Sequence, residues 1–275
     1  REENKYTPPP LIQLNMNYSP GMTIEQMVAV GSLHPLCKDI FRIKGNSEFH
    51  LHLHQQQAIT LASKRQNYVV TTGTGSGKSL AFFIPIIDGI LKAKDKDPSP
   101  RIRAIIIYPM NALANSQMEE VKKFLDNLEP SPITVGRYTG QESREERSAC
   151  ANTPPDILLT NYMMLEYLLT RGNKDTDRKI VEAAQDLQFL VLDELHTYRG
   201  RQGADVAMLV RRLRAATQSQ NMLCVGTSAT MSSSEDKQDR IKAVSGVATK
   251  LFGSLFSPAN VIEETLERVT DTSIR

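Results

Sequence analysis

Tyr68-Val69-Val70-Thr71-Thr72-Gly73-Thr74-Gly75-Ser76-Gly77-Lys78-Ser79-Leu80-Ala81-Phe82-Phe83-Ile84 joins an apolar, β-branched run to a glycine-rich turn and then to a helix-forming stretch. A strand that feeds such a turn into a helix N-terminus makes a phosphate cradle. The glycines let the backbone approach the anion, successive N–H groups converge on it, and the helix adds its positive end. The residues expected to line the cradle are Thr74, Gly75, Ser76, Gly77, Lys78 and Ser79. Lys78 is placed to reach the β- and γ-phosphates, and the Ser79 hydroxyl to ligate magnesium. One position departs from the usual pattern, because Thr72 stands where a glycine is common. The competing reading is a glycine turn that only caps a helix.

Working outward, short apolar runs alternate with longer helical patterns. Strands are expected at 68–71, 104–108, 133–137, 157–160, 189–192 and 223–226, and helices at 55–64, 79–91, 112–128, 163–169, 204–216 and 236–251. Continuous β-branched strands separated by helices predict an α/β domain with a parallel sheet covered on both faces. That domain is expected to run over residues 46–275, after an N-terminal extension over 1–45. In the extension, Pro8-Pro9-Pro10 and Pro20 suggest an extended arm and 21–41 a short helical preface. The segments 92–100 and 171–186 are expected to be surface loops.

Composition bounds the class. The chain has 275 residues, 40% of them hydrophobic and 23% charged, which suits a globular core. Its apolar runs fall far short of the roughly 20 residues of a membrane span. The sequence begins Arg1-Glu2-Glu3-Asn4-Lys5, without the apolar core of a signal peptide, and reads as an internal cut of a longer polypeptide. Cys37, Cys150 and Cys224 form neither a disulfide framework nor a metal pair, so a reducing, cytoplasmic setting with buried thiols is expected. A net charge of +2 confines any nucleic-acid surface to a local patch.

A second chemical signature is Phe189-Leu190-Val191-Leu192-Asp193-Glu194-Leu195-His196. An apolar strand ending in two acids puts carboxylates at the carboxyl edge of the sheet, where open α/β folds bind ligands. In one reading Asp193 holds magnesium and Glu194 orients and deprotonates water. In the other, the acids simply favour a helix N-terminus.

These two motifs resemble motifs I and II of the superfamily-2 helicases, with Asp193-Glu194-Leu195-His196 as a DExH box. The rest falls in the same order. Leu51-His52-Leu53-His54-Gln55-Gln56-Gln57-Ala58-Ile59 resembles the Q-motif region, which implies that Gln55 reads an adenine edge. Tyr108-Pro109-Met110-Asn111-Ala112-Leu113-Ala114-Asn115-Ser116-Gln117 resembles motif Ia, Thr139-Gly140 and Thr160-Asn161 the motif Ib region, and Thr227-Ser228-Ala229-Thr230 motif III. Thr197-Tyr198-Arg199-Gly200, Gly203-Ala204-Asp205-Val206-Ala207 and Arg211-Arg212-Leu213 are similar to the Lhr/YprA-like DNA helicases, over residues 50–265 in all.

The resemblance implies a RecA-like P-loop NTPase fold using ATP and Mg2+, and a motor on single-stranded or partly duplex DNA moving 3′ to 5′. Lys78, Asp193, Glu194 and His196 would carry the chemistry, and Ser228, Ala229 and Thr230 would couple it to movement. Asn111, Ala112, Thr139, Gly140, Thr160 and Asn161 would touch the strand. Such motors close ATP between two RecA-like domains, and the second supplies an arginine worth about 10³–10⁵ in rate in related NTPases. The stretch after Thr230 is too short for that domain, so this chain is expected to be the first motor half of a larger protein.

Other features weigh less. Arg137, Arg144 and Arg147 could add charge near the strand, although Arg144-Glu145-Glu146-Arg147 also reads as a solvated helix face. Arg211-Arg212-Leu213-Arg214 suits a packed helix end better than a nucleic-acid patch. His50, His52 and His54 share one face of an extended segment but lack companion ligands. A duplex-DNA translocase, an RNA helicase and a non-catalytic ATP-binding scaffold remain open, the last opposed by the intact Asp193-Glu194 pair.

Overall fold

Strands without polar alternation must be covered on both faces. The computed structural model, which describes residues 17–42, 48–73, 75–171, 175–229 and 236–267, builds that arrangement. In chain order the elements are β1 (Pro20–Thr23), α1 (Ile24–Ala29), α2 (Cys37–Ile40), β2 (His50–His52), α3 (Leu53–Ser63), β3 (Tyr68–Thr71), α4 (Leu80–Lys94), β4 (Ala104–Tyr108) and α5 (Asn111–Leu125). There follow β5 (Val135–Tyr138), α6 (Arg144–Asn152), β6 (Ile157–Asn161), α7 (Tyr162–Thr170), α8 (Asp175–Ala183), β7 (Phe189–Leu192), α9 (Gly200–Ala216), β8 (Leu223–Ser228), α10 (Lys237–Phe252) and β9 (Val261–Glu263). The main sheet runs β5-β6-β4-β7-β8-β3-β9, with every neighbouring pair parallel.

The period-two rule sorts the strand residues. Ile106 and Tyr108 of β4 join the core built with α1 to α5, while Ile105 and Ile107 join the core under α7 to α10. Because β8 separates β3 from β7, the glycine turn after β3 and the acids after β7 emerge from the same edge with β8 between them. Among the described residues no helix is long and apolar enough to cross a membrane.

Helix α4 carries Pro85 in its interior, which removes the N–H that would bond the carbonyl of Ala81. The buried Tyr68 hydroxyl donates to that carbonyl at 2.8 Å instead. Beyond its C-terminus lies a buried ion-pair network. Arg103, 1% exposed, donates Nη1 to Asp156 Oδ1 at 2.9 Å, and Lys94 Nζ meets Asp156 Oδ2 at 2.8 Å. The Thr134 amide and hydroxyl donate to the same carboxylate, both at 3.0 Å. This tie fixes Thr134 beside β6 and explains why β5 starts at Val135 and not at Ile133.

Two further expectations are corrected. The segment 171–186 contains α8, a helix whose sequence is mostly polar and which packs through Ile180. The helical preface expected over 21–41 is present as α1 and α2, but it is not a unit apart from the α/β domain. Ile24, Met27, Leu33, Cys37, Ile40 and Phe41 share one core with Ile59 and Phe82. β1 pairs with β2, Tyr18 bridges Leu266, and the Ser19 amide donates to the Thr265 carbonyl at 2.8 Å. The proline-rich start and the expected boundary near residue 45 lie outside the described residues. Cys37 and Cys224 are buried free thiols and Cys150 is half-buried. Arg211, Arg212 and Arg214 serve packing, Arg212 pairing with Glu166 and Arg214 donating to Ser254 Oγ at 2.7 Å.

Candidate functional site

The glycine turn is held open by contacts beneath it. Gly75 and Gly77 adopt φ values of 80° and 71°, a region that a side chain disfavours. The Thr72 hydroxyl, at the position where glycine was expected, meets the Ser76 hydroxyl at 2.6 Å and bridges the turn. From α3, His54 Nε2 donates to the Ser76 carbonyl at 2.9 Å and Gln55 Nε2 to the Gly77 carbonyl at 3.1 Å. Burial pushes the His54 imidazole down to about 4, so the ring is neutral and the shared proton sits on Nε2. With these carbonyls tied from below, N–H groups of the turn are left for an anion, apart from that of Gly73, which donates to Glu264 Oε2 at 2.8 Å. A Cβ at Gly77 would lie 2.6 Å from Gln55 Nε2, so this glycine admits the glutamine as well as the turn.

Gln55 therefore sits differently from its expected role. It is 2% exposed, and its Oε1 also accepts the His52 amide at 2.9 Å. An adenine edge would have to compete with both contacts. Thr74 lies outside the described residues. At the start of α4 the Ser79 side chain makes no capping hydrogen bond, which leaves its hydroxyl for a ligand.

Asp193 and Glu194 follow β7. The Asp193 amide donates to the Ile107 carbonyl at 2.9 Å. Thr227 of β8 ties the pair together: its hydroxyl donates to Asp193 Oδ1 and accepts the Glu194 amide at 3.0 Å. Burial pushes the Asp193 carboxyl up to about 6, against the lowering effect of the Thr227 hydroxyl. Glu194 occupies the left-handed region, with φ 54° and ψ 58°, a conformation costing a non-glycine residue about 1–2 kcal/mol. Its Oε1 lies 3.8 Å from Lys78 Nζ, and that buried ammonium has no hydrogen-bond partner.

His196 connects this pair to the end of β8. Its Nδ1 accepts the Ala229 amide at 3.3 Å and lies 3.5 Å from the Ser228 hydroxyl. The same nitrogen is 3.1 Å from Glu194 Oε2. As the acceptor of an N–H it offers no proton to the carboxylate, so Oε2 has a close neighbour but no donor. Ser228, Ala229 and His196 are thus brought together; Thr230 lies outside the described residues.

The residues expected to touch a strand cluster where β4, β5 and β6 end, but many are already engaged. Asn161 caps α7 by accepting the Met164 amide, and donates to Asn111 Oδ1 at 2.6 Å and the Thr139 carbonyl at 3.1 Å. Ala112 is exposed on the first turn of α5. Thr160 is fully buried, its hydroxyl donating to the Tyr138 carbonyl at 2.6 Å, so it cannot reach a strand. Thr139 is 3% exposed, and its amide and that of Gly140 both donate to Glu142 Oε2 at 2.8 Å. Those amides are therefore not free for phosphates. The pattern Gly140-Gln141-Glu142 carried no cue for this, nor did Thr227 for its two contacts, because each depends on a bend or a neighbouring strand.

A family described as DEAD/DEAH box helicase matches residues 52–238. Among curated relatives, the uncharacterized ATP-dependent helicase YprA of Bacillus subtilis is 32% identical over 60% of this chain and 20% of its own length. The ATP-dependent helicase Lhr-Core of Sulfolobus acidocaldarius is 31% identical over 66% of this chain and 21% of its own. Druantia protein DruE of Escherichia coli is 27% identical over 71% and 17%. The solved structure of the DUF1998 helicase MrfA bound to DNA superposes with a TM-score of 0.71 at 25% identity, covering 90% of this chain and 29% of that one. The chain spans about a fifth of the length of the curated relatives it matches.

Proposed function

The chain belongs to the DEAD/DEAH box helicase family, and from that premise we propose that it is the first motor domain of a cytoplasmic helicase, coupling ATP hydrolysis to 3′-to-5′ movement on DNA. The observation that carries the nucleotide role is the facing of Lys78 Nζ and Glu194 Oε1 at 3.8 Å, with the ammonium lacking any hydrogen bond. A buried ammonium without a hydrogen bond, beside two positive-φ glycines, an uncommitted Ser79 hydroxyl and a pair of acids, fits magnesium-bound ATP. Bound there, the nucleotide supplies the phosphoanhydride whose cleavage drives the motor.

The chain's own residues then divide the work. Lys78 balances phosphate charge, and Ser79 and Asp193 hold the metal. Glu194 orients a water and takes its proton. His196 passes the position of the Glu194 carboxylate to Ser228 and Ala229. The strand lies across Asn111 and Ala112, with Gly140 and Asn161 shaping that edge from beneath. A second RecA-like domain in the same polypeptide closes over the nucleotide. The DNA assignment is supported by the DNA-bound state of the MrfA structure.

Lys78→Ala in the complete polypeptide tests the assignment. ATP turnover should vanish while circular dichroism and melting stay unchanged, because the side chain points at the ligand and away from the core. Wild-type turnover would overturn it.

A further inference from the structure

Helix α6 sorts its charges by face. Residues three apart share a helix face, so Arg144 and Arg147 lie together, whereas Glu146, capping with Ser143, lines the groove on the other side with Glu142 and Cys150. Arg144 and Arg147 open onto a separate cleft of about 490 Å3, which also takes in Tyr138, Met164, Arg171 and Asp177. Among the described residues no carboxylate pairs with these three guanidinium groups. Arg147 gives Nε and Nη2 to the Glu142 carbonyl at 3.0 and 2.9 Å, and Arg171 lies 3.7 Å over the Tyr167 ring. Neither contact neutralises a charge. Of the two acids of the cleft, Asp175 pairs with Arg178, and Asp177 is buried and accepts the Tyr138 hydroxyl at 2.6 Å, so three guanidinium groups face one unpaired carboxylate.

The cleft begins where the polar edge ends. Gly140 packs against Met164, a residue of the cleft wall, and Asn161 caps the helix that carries Met164 and leads to Arg171. We propose that this cleft is a second phosphate-binding stretch for single-stranded nucleic acid: a strand held at Asn111 and Ala112 continues past Gly140 onto Arg144, Arg147 and Arg171. The inference rests on the strand-binding reading above. Planar guanidinium groups suit phosphate oxygens. The cleft offers them without a base-reading set, so the grip is independent of sequence.

Fluorescence anisotropy with labelled oligodeoxythymidine tests it, using strands of about 6 and about 20 nucleotides, the lengths chosen to cover one or both stretches. The chain should bind the longer strand more tightly. Replacing both Arg144→Gln and Arg171→Gln should weaken that binding on the order of tenfold and flatten the log–log salt slope by about 1.4, close to 0.7 per lost phosphate contact. Binding of the shorter strand and of a fluorescent ATP analogue should not change. The Arg144→Lys, Arg171→Lys pair should restore the slope. If the glutamine pair binds the longer strand with unaltered affinity and slope, the cleft is off the path and the inference falls, while the strand-binding reading stands. If the unaltered chain binds neither strand, that reading falls and this inference with it, even where the ATP analogue still binds.

Discussion

A non-glycine residue in the left-handed region persists only when its surroundings over-determine it. Glu194 is fixed there by the Thr227 hydroxyl on its amide and by a β7 register that seats Asp193 on Ile107. Replacing the side chain without the backbone should therefore separate binding from chemistry. Glu194→Gln should retain ATP while hydrolysis falls by about 10²–10⁴, as read from nucleotide-analogue titration beside phosphate release; loss of both would mark Glu194 as structural. His54 gives a pH signature. Its folded pKa is about 4 against 6.5 for the free side chain, so the unfolded chain binds more protons between those values and stability falls as pH drops from 6.5 toward 4. Melting midpoints should decline more steeply over that window for the wild type than for His54→Gln; equal slopes would refute the linkage. His52 shifts in the same direction but is common to both proteins, so the difference reports His54. Of these residues, Lys78, Asp193 and Glu194 were legible because the loop and the acid pair are contiguous strings. Thr227, Glu142 and the loop-holding role of Gln55 were not, since they act across contacts that no local pattern encodes.

The elements most legible in sequence are those buried on both faces. β3, β4 and β7 match their expected bounds, because an unbroken run such as Ala104-Ile105-Ile106-Ile107-Tyr108 has no amphipathic alternative of that length. Helix α8 escaped notice because Asp175-Thr176-Asp177-Arg178-Lys179 is polar throughout, and burial of Asp177 is offset by the Tyr138 hydroxyl and not by an apolar stripe. Strand β5 began two residues late because Asp156 takes the Thr134 amide. That carboxylate, just before β6, joins the end of α4 and the starts of β4 and β5 through Lys94, Arg103 and Thr134. Asp156→Ala would leave the Arg103 guanidinium buried without a counter-charge, a change that costs about 3–5 kcal/mol in comparable cases. Urea denaturation should show a loss of that size. A loss below about 1 kcal/mol, the range of exposed pairs, would mean that water reaches Arg103.

At the scale of the whole molecule, the groups proposed to carry the chemistry gather on one open edge of the sheet. Lys78, Ser79, Asp193 and Glu194 would approach a nucleotide from a single side, and among the described residues no arginine pairs with or hydrogen-bonds to them. Phosphoryl transfer relies on charge stabilisation around the transferring group, and a trans-acting arginine contributes about 10³–10⁵ in rate in related NTPases. The two-domain reading therefore predicts that residues 1–275 alone bind ATP weakly and hydrolyse it negligibly, with or without single-stranded DNA. The polypeptide that includes a second RecA-like domain should turn ATP over, and its stimulation by single-stranded DNA should decline steeply with salt as phosphate contacts release counterions. Phosphate release measured for both proteins across a salt series decides this. Strand-stimulated turnover by residues 1–275 unaided would show that one domain carries the complete site. Stimulation of the two-domain protein by RNA and not by DNA would keep the motor and reject its DNA substrate, because discrimination would then rest on contacts to the 2′-hydroxyl.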